Sequence, residues 1–252
     1  MHESSYLKAV AFCEHYVKPY AAEHGSAKIL DIGSKSYQGH KDYGTVFRAS
    51  NIQYVGLDVE PGQNVDIVPG DLFRWSEISN REFDFCISGQ VFEHNPLFWI
   101  TFAEIGRILK PGGMAFVIAP GRGPVHRFPL DCWRFYPDAW SALCGYIGLE
   151  LVETLFEEYA FGHVIGGAQW CDSCVAARVP MFSDATVERE FYARLDRIVG
   201  TCPTDAAGLM KPAGGIGKAL SAYQKSTKAS LGRVLKRRLA PRFMLRKILQ
   251  TM

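Results

Sequence analysis

The chain has 252 residues, 48% of them hydrophobic, which is enough for a sizeable core in one large domain or in one domain with an appendage. No stretch reaches the roughly 18 to 20 apolar residues of a membrane-spanning helix, and MHESSYLKAV lacks a basic-then-apolar leader, so a soluble, cytoplasmic protein is expected. The net charge of +2 conceals a split: from Lys211 onward there are eleven Lys/Arg and no Asp or Glu, leaving 17 basic against 26 acidic groups before it, a balance of −9.

In chain order, Leu7, Val10, Ala11, Tyr16 and Val17 fall near helical spacing and predict a helix over 6–22, with Pro19 close to its end. Short apolar runs predict strands at 28–33, 53–58, 65–68 and 83–87. Asn95-Pro96 marks a helix start, because Asn accepts free first-turn amides and Pro at the first helical position forfeits no hydrogen bond. That helix is expected to run to Lys110. Leu97, Thr101, Ile105, Ile108 and Leu109 form its apolar stripe, Arg107 and Lys110 sit where the dipole favours cations, and Pro111-Gly112-Gly113 stops it. A fifth strand follows at 114–119, then a helix at 138–144, strands at 149–155 and 171–179, and a helix at 183–199. Strands too apolar for a wet face, alternating with helices, mean a doubly wound α/β fold with a mostly parallel sheet covered on both faces. The expected organisation is a core domain over 1–180 and a C-terminal helical extension over 181–252, with the Gly, Pro, Ala and Thr of 200–217 as a linker.

Polar residues collect in the turns after the strands, where open α/β sheets bind ligands. Asp31 and Gly33 close the first strand, Asp58 the second, Gly70-Asp71 follow the third, and Ser88-Gly-Gln90-Val-Phe-Glu-His94 follow the fourth. A carboxylate at the end of a second strand suits a ribose diol, since it can accept two hydroxyl hydrogen bonds, and Asp71 is placed to accept from an exocyclic adenine amine. The dinucleotide fingerprint GxGxxG is absent, because Lys35 stands two residues after Gly33. GGIGKA at 214–219 is no phosphate loop: Pro212 and Ala219 occupy its first Gly and its Ser/Thr positions.

Taken in order, LDIG with Asp31 and Gly33, GLD with Asp58, GDLF with Asp71 and Leu72, FDFCISGQVFEH, and ILKPGG resemble the motifs of the class I S-adenosylmethionine-dependent methyltransferases over about residues 25–180. The resemblance implies a Rossmann-like sheet of seven strands with the last antiparallel. It also implies S-adenosylmethionine as cofactor, held by Asp31, Gly33, Ser34, Asp58, Val59, Asp71, Leu72, Ser88 and Gln90. Lys35 and Tyr37 depart from the family's glycines, so the methionine end of the cofactor is held differently or the loop bends at Gly39 instead.

Methyl transfer needs an aligned nucleophile and excluded water, with a base if the acceptor is a hydroxyl. The aromatic, proline-rich loop 120–137 after the fifth strand supplies candidates. His126 and Asp131 are the base candidates, with His94 third. Arg127, Trp133 and Arg134 are the acceptor-binding candidates, since indole faces stack on sugar rings and guanidinium groups clamp anionic oxygens. The competing reading plugs Trp133 and Phe135 into the core and pairs Arg134 with a carboxylate. His163 borders the pocket or lies in a plain loop. Phe98-Trp99 reads as core. Cys171 and Cys174 have metal-ligand spacing but no second pair, so no metal site is expected, and seven scattered cysteines read as thiols.

Leu231, Val234, Leu235 and Leu239, then Phe243, Met244, Ile248 and Leu249, line one side of a basic amphipathic tail. Such a tail suits an anionic membrane surface, self-packing or a homo-oligomer contact, and less well a nucleic acid. The activity expected is O-methylation of a saccharide or lipid-linked glycan. The alternatives are a methyltransferase of RNA or a small metabolite, and a non-catalytic scaffold on a degenerate fold.

Overall fold

The computed structural model describes residues 3–37, 41–157 and 170–202; Gly39, His163, the stretch after residue 202 and the basic tail lie outside them. Six strands form one sheet: β1 Ala27–Ile32, β2 Ile52–Leu57, β3 Phe83–Gly89, β4 Leu109–Pro120, β5 Glu150–Phe156 and β6 Asp172–Arg178. Their order is β2-β1-β3-β4-β6-β5, parallel from β2 to β4, with β6 antiparallel to both β4 and β5. The doubly wound class and the antiparallel last strand are as expected; among the described residues the sheet has six strands where seven are implied. The chain leaves β1 to one side and returns on its other side as β3. That reversal opens the ligand cleft at the carboxyl ends of β1 and β3.

The missing strand is the one expected at 65–68. Only Ile67 bridges Leu57, beside β2. Gly56 explains why: its N–H is taken by the Asp66 carboxylate at 2.8 Å, a side chain where a strand would offer a carbonyl, and its own carbonyl accepts both Asp66 and Ile67. The segment lies so close that a Cβ on Gly56 would sit 1.8 Å from the Asn64 carbonyl. Gly56→Ala is therefore expected to cost about 3 kcal/mol by overpacking, read as a lower urea midpoint at unchanged m-value.

Residues of alternating parity face opposite layers. On one face Phe85, Ile87, Phe116 and Ile118 meet the N-terminal helices, with Phe12 stacked on Phe116 at 4.7 Å between ring centroids. Those helices are α1 Glu3–Phe12 and α2 Lys18–His24, joined by a π turn at Cys13–Val17, and the short α3 Gly44–Phe47 adds Phe47 to the same core. The turn lets the helix continue through Pro19, which carries no N–H to donate. It also corrects the expected stripe. Leu7 and Ala11 are exposed, whereas Ser4, Ser5, Lys8, Ala9 and Phe12 are buried, because this face of α1 meets polar groups at the sheet edge.

The other face carries α4 Phe98–Ile108, α5 Pro137–Ile147 and α6 Ala185–Gly200. Trp140 of α5 donates to Ser173 Oγ at 2.8 Å, α5 ends on the left-handed Gly148, and the Asp184 side chain caps α6. Helix α4 departs from expectation at both ends. Asn95 accepts from Leu97 before the helix begins, and β4 starts directly at Leu109, so Pro111-Gly112-Gly113 lie inside that strand. Arg107, placed in the last turn of the helix as expected, is buried. It pairs with Glu104 at 2.6 and 2.8 Å and donates to the carbonyls of Trp75 and Ile78, since α4 is covered by α6, whose Leu195 lies against Gly106. No helix among the described residues is long and apolar enough to cross a membrane.

Candidate functional site

At the carboxyl end of β1, Asp31 is 2% exposed. Its Oδ2 accepts the Tyr54 hydroxyl at 2.6 Å, while Oδ1 has no hydrogen-bond partner. Burial raises its pKa to about 7 against the lowering effect of Tyr54. Gly33 turns the chain at φ +80°, where a Cβ would meet Val91 at 2.3 Å, and the buried Ser34 hydroxyl next to it is also unpartnered. Asp58, at the end of β2, accepts from the amides of Lys35 at 3.0 Å and Glu60 at 3.3 Å. Lys35 thus reaches Asp58 through its backbone, while its ammonium swings out to Glu60 at 2.7 Å. The Asp58 charge is felt at Asp31. Val59 is exposed. Asp71 and Leu72 lie on an exposed turn whose amides, Phe73 at 2.8 Å and Arg74 at 3.2 Å, occupy the Asp71 Oδ1.

Helix α1 lies across this edge on a buried polar network that the sequence pattern did not reveal. Lys8 donates to Asp172 at 2.9 Å and Glu157 at 3.0 Å; Ser4 donates to the same Asp172 oxygen and Gln90 to the other. Ser5 pairs with Tyr43 at 2.7 Å, and Tyr43 fills the space where a Cβ on Gly89 would stand. A lysine between Leu7 and Ala9 reads as solvated; only pairing across the sheet shows it as buried. Ser88 is buried at the end of β3, and Gln90 follows it at φ +60°.

The short helical turn Phe92–His94 then brings Glu93 and His94 under the loop after β4. Glu93 is 0% exposed and neither carboxylate oxygen has a hydrogen-bond partner. Burial raises its pKa to about 8. The loop is fastened to it through the backbone, as Cys132 and Trp133 donate to the Glu93 carbonyl and Phe135 to that of Pro120. His94 Nδ1 meets the Leu130 carbonyl at 2.5 Å, and its ring lies 4.8 Å from that of His126. Burial lowers the His94 pKa. Asp131 is held by both Arg134 nitrogens at 2.6 and 2.9 Å and by the His126 amide at 2.6 Å; the Arg134 bond first of all brings its pKa to about 2. An oxygen of such low proton affinity is a poor base at neutral pH.

The structure therefore gathers His94, His126 and Asp131 in one place, with Glu93 beneath them as the member sequence reasoning passed over. A glutamate beside the histidine of the fourth-strand motif was the available signal. Arg134 is committed to Asp131 and to the Pro124 carbonyl at 2.7 Å. Arg127 is exposed. Trp133 is 37% exposed, donates to the Asn95 carbonyl at 3.0 Å and packs edge-on against Phe98. Phe135 is buried against Trp140. Cys174 is buried on β6, its thiol pKa pushed up by burial. A cleft of about 430 Å³ near Asn80, Arg81 and Tyr192 lies at the amino end of β3, the edge opposite these groups.

Residues 30–117 match a family model described as a methyltransferase domain. An uncharacterized methyltransferase of Mycobacterium ulcerans (strain Agy99) is 29% identical over 97 residues, covering 34% of this chain and 36% of the relative. One of Mycobacterium avium (strain 104) is 28% identical over 110 residues, covering 38% and 42%. The match thus spans little more than a third of the length of these curated relatives. Among solved structures, the Burkholderia thailandensis 1,6-didemethyltoxoflavin-N1-methyltransferase, with 1,6-didemethyltoxoflavin and S-adenosylhomocysteine bound, aligns at TM-score 0.49 and 15% identity over 70% of this chain and 84% of that one. The trans-methyltransferase CalH aligns at 0.49 and 16% over 65% and 54%. At that level of likeness neither structure bears on the details of this site.

Proposed function

We propose that this chain, whose residues 30–117 match a methyltransferase domain, is an S-adenosylmethionine-dependent methyltransferase that methylates a hydroxyl oxygen of a saccharide or lipid-linked glycan. The observation that carries the reading is the pairing of two unsatisfied regions at one sheet edge: the Asp31 and Ser34 oxygens after β1, and the Glu93, His94 and His126 group after β3 and β4. Buried polar atoms without partners call for an explanation, and a bound ligand is one.

The residues present fit the cofactor. Asp31 Oδ1 and Ser34 Oγ are buried acceptors that lack donors, and Asp58 uses two of about four carboxylate lone-pair positions on amides. S-adenosylmethionine, when bound, supplies a methyl group already activated on a sulfonium sulfur. Asp31 would hold the positive end of that ligand and Asp58 its ribose hydroxyls. Helix α1, clipped down by Lys8, excludes water from the edge. Trp133 and Arg127 would hold the acceptor, and the cluster of His126, His94 and Glu93 would take or weaken the hydroxyl proton. Asp131 and Arg134, bound to one another, fix the loop that carries His126.

The test is transfer of labelled methyl from S-adenosylmethionine to panels of saccharides, lipid-linked glycans, RNA and small metabolites. Turnover on the hydroxyl-bearing sugars, reduced at least a hundredfold in His126→Ala with donor binding unchanged by calorimetry, is expected. Turnover on RNA or metabolites alone would reject the acceptor class, and absent donor binding in the parent protein would reject the enzyme. The apolar and basic tail, by its sequence pattern, is proposed to rest on an anionic membrane surface near such acceptors.

A further inference from the structure

We propose that Glu93, His94 and His126 bind a divalent transition-metal cation, with zinc as its probe. One ligand atom from each lies within 4.8 Å of the others, and the His94 Nε2 to Glu93 Oε1 distance is already 3.6 Å. Donors on a common first-row ion at about 2.1 Å stand about 3.4 Å apart, so the group closes on a cation with side-chain shifts of about an ångström. The set contains two imidazoles and one carboxylate, which suits zinc and its neighbours better than magnesium or calcium.

Three independent features support it. The Glu93 carboxylate is fully buried with both oxygens unpartnered, at the bottom of the cluster. His94 Nδ1 faces the Leu130 carbonyl at 2.5 Å, so it carries the proton and donates, leaving the Nε2 lone pair toward Glu93. Histidine ligands are commonly oriented in this way, by a carbonyl on the nitrogen that does not bind metal. His126 Nδ1 is buried without a hydrogen bond, its nearest carboxylate oxygen, on Asp131, being 3.4 Å away and engaged by Arg134 and the His126 amide. Arg134, a cation on the same loop, is paired with Asp131 and makes no hydrogen bond to Glu93. Three protein ligands leave a coordination position open. In the proposed methyl transfer, on which this one role rests, that position takes the acceptor oxygen and lowers the pKa of its hydroxyl, with the released proton going to solvent.

The experiment is a zinc titration of chelator-treated full-length protein, followed by calorimetry and by metal analysis after dialysis. About one equivalent is expected in the parent protein and in Cys132→Ala. His126→Ala, whose site is partly exposed and tolerant of change, and Glu93→Gln should each weaken binding at least tenfold. Zinc lost on dialysis of the parent, an adventitious ion only, or equal affinity in His126→Ala, would overturn the site. No methyl donor or acceptor is present, so failure here is distinct from failure of the methyltransferase assay.

Discussion

Asp31→Asn is expected to stabilise the protein at pH 8 while weakening S-adenosylmethionine binding at least tenfold. The folded-state pKa of Asp31, about 7, lies above the ordinary 3.8 because burial penalises the charge. Between those values the folded protein binds a proton that the unfolded chain has lost, so the contribution of Asp31 is complete below about pH 4 and is lost as pH rises through about 7. Asparagine has no charge to bury and still accepts the Tyr54 hydroxyl. The rise from 3.8 to about 7 corresponds to an upper value of about 4 kcal/mol. A gain of roughly 2 to 4 kcal/mol at pH 8 is expected, shrinking toward zero near pH 4. Melting both proteins across this range checks it; a difference independent of pH would show that the buried charge is not the cause. The loss of donor binding follows from the role proposed for the unpartnered Oδ1, as acceptor for the cationic end of the ligand.

Lys8→Met carries the larger penalty. The Lys8 side chain is 9% exposed and each of its two carboxylate partners 1%. Burial opposes its charge, yet Asp172 above all holds its pKa above the ordinary value. Removing the ammonium leaves Asp172 and Glu157 buried together without a cation, at a cost of about 3 to 5 kcal/mol. Helix α1 should then loosen from the sheet edge, seen as faster amide exchange over residues 3–12. Adding Glu157→Gln should recover part of the loss, because one of the two stranded charges goes with it. Unaltered exchange in α1 would mean that Phe12 and its apolar neighbours, and not the ion pair, hold the helix down.

The parts of the site that were legible in the sequence sit at strand ends. Asp31, Gly33, Asp58 and Ser88 stand at the ends of short apolar runs that form strands, and the residue after a strand has little freedom in where it points. Loop 120–137 was legible as a loop with chemistry, but the division of labour within it was not. Arg134 turns back onto Asp131 and lowers its proton affinity, and this is a contact between residues three apart in an irregular segment that no periodicity encodes. Glu93 escaped notice because its burial depends on β4, α4 and the loop closing over it together.

The sequence by itself determined the α/β class, the strand and helix order and the collection of polar turns at one edge, because hydrophobic period and Gly, Pro and Asn punctuation act over a few residues. Tertiary structure alone decided which helix faces are buried and where polar groups pair. The stripe of α1 turned to present Ser4, Ser5 and Lys8, and Arg107 went inward beneath α6, since in each case a partner distant in sequence offset the cost of desolvation. The third strand was lost for the same kind of reason. At Gly56 a carboxylate from Asp66 took the hydrogen bond that a strand would have made, and that choice lies in the contact between two segments and in neither one alone.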